Sequence, residues 1–371
     1  MKARLRYEIA TASSEPEVRR LLRENPVSGN IEVSLEREPN AFHAAAVTGD
    51  EYQLVLAYVN DEVEPIGLGA RFELDAFING KVQRIGYLSE LRATGGFKFR
   101  RSLLLQAYRA MRQYHEAGNA AFYLTTIIAD NTAARRLLEA GLSDMPTYSP
   151  IEMMATIIIP VRSGARVRGL NRHVTTATAK DLPAIAGKLN HSGQSYQFHP
   201  FWSENTLRSP DRCRGLNAGD FLVCHDEGRF RGCLALWDQR SFKQTVIRGY
   251  ASRLAYLRPA YNLVAPLFRR PRLPAPGASL ESGFLSHLAV EAEDEATAVS
   301  LIRQACRHGS QRGLEYVMIG VAERNPICAA IRRHFPCHSY LSMLYGVYWE
   351  DGKNEFETLD NRIPHAELAI L

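Results

Sequence analysis

Two proton acceptors sit at matching places in a repeated motif. Glu90 stands in Leu88-Ser89-Glu90-Leu91, and His287 stands in Leu285-Ser286-His287-Leu288, 197 residues further on. A carboxylate or a neutral imidazole on a strand can take the proton of an attacking amine, directly or through one water. Glu90 also has a plainer use, pairing with Arg84 or Arg92. A second landmark recurs at nearly the same offset, Asn131 of Asn131-Thr132-Ala133-Ala134 and Asn325 of Asn325-Pro326-Ile327-Cys328. Two landmarks that keep one spacing mark a duplicated α/β unit, each copy a sheet covered by helices.

These residues need strands and helices to carry them, and the hydrophobic pattern supplies such elements twice. In the first copy, alternation and apolar runs predict strands over 6–10, 52–59, 66–72, 82–88, 122–128 and 153–160. Asn79-Gly80 is a tight hairpin turn. Leu103, Leu104, Ala107, Met111 and Tyr114 predict a helix over 100–117, and Ser13-Ser14-Glu15 heads another that carries Val18, Leu21 and Leu22 on one face. Asn131 opens a short helix that stops near Gly141.

The second copy repeats this order. A strand begins at Val174, and a helix carries Leu182, Ile185 and Leu189. A hairpin joins 221–224 to 232–236 about Asp226-Glu227-Gly228, and a last strand covers 340–348. An insert precedes its Leu-Ser-His-Leu strand, placed at 253–277 by Pro259, Pro266, Pro271, Pro274 and Pro276. That segment fits packing on its own domain, a lid, or a membrane or partner contact. Residues 161–166 have linker character, which gives domains at 1–160 and 161–371.

Composition narrows the function classes. A chain of 371 residues with 46% apolar content is an ordinary globular protein of two or three domains. The net charge of +5 suits an anionic small ligand better than nucleic acid. Lys and Arg are scattered, apart from Lys98, Arg100 and Arg101 and from Arg269, Arg270 and Arg272. Six cysteines without a C-x-x-C pair argue for reduced thiols in the cytoplasm, and against a zinc cluster or a disulfide framework. His191, His199 and His225 lack metal-ligand spacing, and no apolar run is long enough to predict a membrane span or signal peptide.

The element order, taken with the paired motifs, resembles the GCN5-related N-acetyltransferase superfamily, once in each half. The resemblance implies tandem α/β domains, each a mixed, mostly antiparallel sheet flanked by helices, with acetyl-coenzyme A as co-substrate. In that family the loop after the fourth strand, Arg/Gln-x-x-Gly-x-Gly/Ala, cradles the pyrophosphate on its amides at a helix N-terminus. Carried onto this chain, the donor-binding positions are Leu91, Arg92, Ala93, Lys98, Phe99, Arg100, Arg101, Ser102 and Leu103, with Asn131 holding the cofactor arm. Phe99 and Arg101 replace the motif glycines, where a side chain keeps phosphate from the backbone. Lys98, Arg100 and Arg101 would then neutralise the phosphates through their side chains. In the second copy the same stretch holds Glu291, Glu293, Asp294 and Glu295. Four acids repel a diphosphate and suit a helix start instead, so the first half is expected to hold the donor.

The resemblance also implies roles. A backbone amide within 91–93 would donate to the thioester carbonyl, and Glu90 would accept the amine's proton. The family's helix Tyr is replaced by Leu138, and by Arg332 in the second copy, so Tyr148 on the next strand is the candidate general acid. The implied activity is acyl-CoA-dependent N-acyl transfer, with acetyl as the acyl group, to a small-molecule or peptide amine. Two alternatives stay open. One is a non-catalytic acyl-CoA or ligand-binding protein. The other is an aminoacyl-transferase using charged tRNA, for which the sequence shows no basic stripe.

Overall fold

Each half lays down the same succession of strands and helices. The computed structural model describes residues 5–27, 29–60, 62–95, 101–265, 267, 271–291 and 294–371. The first half runs β1 (Leu5–Ile9), α1 (Glu15–Glu24), β2 (Ile31–Glu36), α2 (Ala41–Thr48), β3 (Glu51–Val59), β4 (Gly67–Ile78), β5 (Lys81–Ala93), α3 (Arg101–Glu116), β6 (Tyr123–Ile128), α4 (Thr132–Leu138) and β7 (Thr147–Pro160). After α5 (Val161–Gly164), the second half continues with β8 (His173–Thr176), α6 (Leu182–Gly193), β9 (Tyr196–Gln197), α7 (Glu204–Arg208), β10 (Phe221–Asp226), β11 (Arg229–Trp237) and β12 (Gln244–Tyr250). It closes with α8 (Ser252–Val264), β13 (Ser282–Ala289), α9 (Glu295–Gln311), β14 (Tyr316–Ala322), α10 (Pro326–His334), β15 (His338–Tyr348), α11 (Lys353–Glu357) and β16 (Ile363–Pro364).

Local chemistry explains most of the boundaries. Asn79 and Gly80 both take positive φ, 51° and 79°, the conformation that a two-residue turn between β4 and β5 requires. Val18, Leu21 and Leu22 of α1 are buried on one face. Asp294 caps α9 by accepting from the Thr297 amide at 3.0 Å, and Glu295 sits in the first turn. Asp294 and Glu295 are thus bound up in the helix start, while Glu291 lies 3.6 Å from the Lys188 ammonium.

The principal sheet has 12 strands in the order β1-β3-β4-β5-β6-β15-β7-β14-β13-β11-β10-β8. Counted inward from either edge, the two halves match strand for strand, except that the last strands are exchanged. β15 runs antiparallel to β6, and β7 runs antiparallel to β14. The two exchanged strands also pair with each other from Thr147↔Tyr348 to Ile158↔His338. Residues 1–160 and 161–371 therefore each lend a central strand to the other's ladder. This exchange makes one continuous mixed sheet, mostly antiparallel, with helices on its faces.

Three features depart from the expectations. Residues 161–166 do not form a free linker: Val161 is buried, and Gly164 lies so close to α9 that an added Cβ would come 2.5 Å from the Cys306 sulfur. β2 and β12 form a separate two-stranded ribbon that the alternation did not reveal, and it ties the first half to the insert. The insert itself contains α8, none of whose side chains is fully buried.

Candidate active site

The repeated motif folds into the same irregularity twice. Leu68 pairs with Arg92 and Ala70 with Ser89, so Glu90 and Leu91 together oppose Gly69 in a β-bulge. In the second half Cys233 pairs with Ala289 and Ala235 with Ser286, which leaves His287 and Leu288 opposite Leu234. Glu90 and His287 both adopt φ of 53°, a backbone conformation that costs a non-glycine residue about 1 kcal/mol or more. Retention of this strain at both equivalent positions points to a geometric requirement.

Just before the bulge each strand parts from its parallel neighbour. β5 pairs with β6 only at Gly86↔Tyr123 and Tyr87↔Leu124, and β13 pairs with β14 only from Ser282↔Tyr316 to Phe284↔Met318. The motif's leading glycine allows the contact just before the split. A Cβ on Gly86 would sit 2.0 Å from the Tyr123 ring, and one on Gly283 would sit 2.9 Å from Leu314. Each half thus holds a V-shaped opening lined on one side by a bulged strand.

In the first half, an ionised carboxylate faces a recess beside the bulge. Arg37 Nη2 donates to Glu90 Oε1 at 2.8 Å, and Arg92 Nη2 lies 3.6 Å from Oε2. Burial pushes the Glu90 carboxyl up, but Arg37, then Arg92 and Lys243, outweigh it and hold it below the ordinary carboxylate range. Lys243 is itself driven down to about 7 by burial and by Arg37, while donating to the carbonyls of Ala369 and Leu371 at 3.1 Å each. The recess is small and is walled by apolar residues of α1, α2, β3 and β4, including Val18, Ala41, Ala44, Leu54 and Phe72, with Arg37, Ser89 and Glu90 at its polar end.

The other expected site residues lie around the opening. Leu91 is 49% exposed, Arg92 and Ala93 are half-buried, and Arg92 also donates to the Leu91 carbonyl at 3.1 Å. Lys98, Phe99 and Arg100 lie outside the described residues. Arg101 and Ser102 are exposed at the start of α3, and Leu103 is half-buried with its carbonyl 3.5 Å from the Tyr7 hydroxyl. The Asn131 side chain accepts from the Ala134 amide at 3.2 Å, which makes it the N-cap of α4. Tyr148 is buried in a cluster with Leu88, Tyr123, Leu138 and Tyr345, and its hydroxyl bonds to that of Tyr108. Burial and the adjacent phenol raise Tyr148 well above the ordinary tyrosine range, so it keeps its proton. Glu90 and Tyr148 thus occupy separate surroundings, one polar and one apolar.

In the second half the chain itself enters the opening, and a recess remains there between β13 and β14, lined by Leu285, Leu288, Ile319, Gly320, His365 and Glu367. The His287 amide donates to Glu367 Oε2 at 3.0 Å, and Leu368 lies against Gly320 of β14, where an added Cβ would come within 2.9 Å. The His287 ring is fully buried against Trp202, at 4.2 Å between centroids, with Phe221 and Trp237 beyond. Burial drives this imidazole down to about 4, so it is neutral and sealed from solvent. Burial alone would raise Glu367, but His365 and His287 hold it at about 2. Among the described residues no side chain bonds the equivalent amides of Glu90 or Leu91 in the first half.

Solved structures share this fold. N-myristoyltransferase from Saccharomyces cerevisiae, crystallised with myristoyl-CoA, matches over 99% of this chain and 86% of its own, with a TM-score of 0.61 and 10% identity. The GCN5-related glucosamine N-acetyltransferase region of a fungal multi-domain GH3 β-N-acetylglucosaminidase matches 94% of this chain and 38% of its own, at 0.60 and 10%. A GCN5-related N-acetyltransferase from Kribbella flavida matches 92% and 71%, at 0.50 and 12%. The fold is that of the GCN5-related N-acetyltransferases. No family pattern and no curated protein matches the chain in sequence.

Within this acetyltransferase fold, three charged residues at the openings carry no sequence signal. Arg37 follows β2, Lys243 precedes β12, and Glu367 follows β16, all far from the repeated motif in sequence. Only the pairing of β2 with β12, and the return of residues 363–371 across β13 and β14, bring them to the bulges. Among the described residues no group of His, Cys, Asp and Glu could hold a metal ion, and no helix is long and apolar enough to cross a membrane.

Proposed function

We propose that the chain is an acyl-CoA-dependent N-acyltransferase whose chemistry takes place in the first half, with acetyl-CoA as donor. The observation that carries this is the contrast between two copies of one bulged strand. In one copy the bulge amide is taken by Glu367. In the other no described side chain takes the bulge amide, and an ionised Glu90 stands beside it where the second copy has a buried, neutral His287. The acyl-CoA would lie in the split between β5 and β6, with its phosphates toward the exposed Arg101 and Ser102 at the start of the α3 helix. The amine would arrive from the recess, as a small molecule or peptide end with an apolar body to match Val18, Leu54 and Phe72.

The neutral amine attacks the thioester carbonyl and a C–N bond forms. A backbone amide at the bulge donates to the carbonyl oxygen, and the C–S bond breaks to release coenzyme A. Glu90 accepts the amine's proton, directly or through water. Tyr148, packed with Leu138 and holding its proton, is the candidate donor to the departing thiolate.

The test is thermal shift and thiol release with acyl-CoAs of increasing chain length and a panel of amines. Stabilisation by acetyl-CoA, about 2.7 kcal/mol at a hundredfold excess over Kd, should be lost in Arg101→Glu. Glu90→Gln should keep binding and lose about 10²-fold or more in turnover. Replacement of the motif glycines by Phe99 and Arg101 favours one rival, a ligand-binding protein without turnover. Binding with no thiol release for any amine would establish it.

A further inference from the structure

The helix α8 is inside out for a helix lying on its own domain. Its polar side chains face inward: Arg258 Nε and Asn262 Nδ2 donate to the Leu273 carbonyl at 3.1 and 2.9 Å, and the Tyr261 hydroxyl donates to the Pro271 carbonyl. Its apolar side chains face outward. Tyr256 is 86% exposed and Leu263 78%, with Leu257 and Val264 also exposed, and Leu267 in the following turn is 79% exposed. Tyr256, Ala260, Leu263 and Val264 are spaced i, i+4, i+7 and i+8, which is one stripe of the helix. Water is the wrong solvent for such a stripe, and no described part of the chain covers it.

Charge identifies what should cover it. From Ser252 to Leu280 the chain carries Arg253, Arg258, Arg269, Arg270 and Arg272 and no Asp or Glu. Arg253 and Arg272 are exposed and, among the described residues, form no ion pair. A second copy docking through the same stripe would bring two such arginine sets together and be repelled. An apolar stripe in a segment with the exposed Arg253 and Arg272 and no acid complements a surface that offers both hydrocarbon and negative charge. α8 has 13 residues and contains Pro259, so it suits lying in an interface and not crossing one.

We propose that α8 docks the protein onto an anionic lipid surface, with Tyr256, Leu263 and Leu267 entering the headgroup boundary and Arg253 and Arg272 meeting lipid phosphates. The helix leaves β12, and β12 pairs with β2, whose chain continues directly into Arg37 beside Glu90. The docked face is therefore joined through one two-stranded ribbon to the polar end of the first-half recess. The proposal does not depend on the acyl-transfer assignment, because its test reads partitioning and not turnover.

The experiment is co-sedimentation of the full chain with vesicles of phosphatidylglycerol and phosphatidylcholine, against vesicles of phosphatidylcholine alone. A Tyr256→Trp variant reports the depth of entry. The expected result is binding to the anionic vesicles, with a blue shift in the emission of the introduced indole. Each arginine removed in Arg253→Gln and Arg272→Gln should weaken partitioning about fivefold. Leu263→Ser with Leu267→Ser should abolish the binding while leaving the thermal melt unchanged, since both side chains are exposed. Absence of binding to anionic vesicles overturns the proposal. So does binding that ignores the leucine changes or that soluble polyglutamate competes away, since bare charge attraction would then account for it.

Discussion

Arg37→Met isolates the group that keeps Glu90 ready to accept a proton. Arg37 Nη2 sits 2.8 Å from the carboxylate, and the two side chains are only 11% and 14% exposed, so the pair is poorly screened. A cation at this range lowers a carboxyl pKa by roughly 1–3 units. Arg92 and Lys243 remain in the variant, so removing Arg37 should let the Glu90 carboxyl rise only part of the way, and the lost charged hydrogen bond should cost about 1.5–3 kcal/mol. The wild-type carboxyl lies below its unfolded value. Its stabilising contribution is therefore full above the unfolded pKa of about 4.3 and is lost as pH falls through the folded pKa. The variant should be less stable than wild type at neutral pH, and the difference should shrink in acid as the carboxyl takes its proton in both proteins. Turnover should follow the same group: the acid limb of kcat/KM should move toward neutral pH. The assays are urea melts at several pH values and thiol release across the same range. The Arg37→Met, Glu90→Gln double variant should recover stability without recovering turnover. An unmoved acid limb in an active Arg37→Met protein would refute Glu90 as the base.

Three further outcomes follow from the packing. Gly86→Ala should cost about 3 kcal/mol, because its Cβ meets the Tyr123 ring, which Arg71 and His115 pin through its hydroxyl. Gly283→Ala meets only the movable end of Leu314 and should cost less in the same urea melts. Lys243→Met should flatten the pH dependence of stability. With a folded pKa near 7 against about 10.4 unfolded, the unfolded chain holds the additional proton between those values, so wild-type stability climbs with pH at up to about 1.4 kcal/mol per unit. Residues 1–160 expressed alone should give no cooperative melt, since β6 loses its partner β15 and β7 loses both neighbours.

The chain's own sequence settled the repeat, the order of elements and the kinship of Glu90 with His287, because these rest on local spacing. Alternation, helical periodicity and the Asn79-Gly80 turn act over a few residues, and a motif copied with its neighbours keeps its local backbone, down to the same φ at both bulges. The position of Asn131 as a helix cap was legible for the same reason. Sequence could not show that β7 and β15 change places, since either strand satisfies the same apolar pattern in either ladder. Nor could it show that Glu90 answers to Arg37 in place of Arg84, which is engaged by Glu73 and Asp50. Arg37 and Glu90 lie on different elements, and a charge's partner is fixed by distance in space. The sharpest division concerns the two copies. In sequence they differ by one residue at the bulge and by acids beyond it. In the folded chain, Glu367 takes the His287 amide, while Leu371 lines the recess beside Glu90. Which bulge amide is engaged was decided by where a distant segment comes to rest.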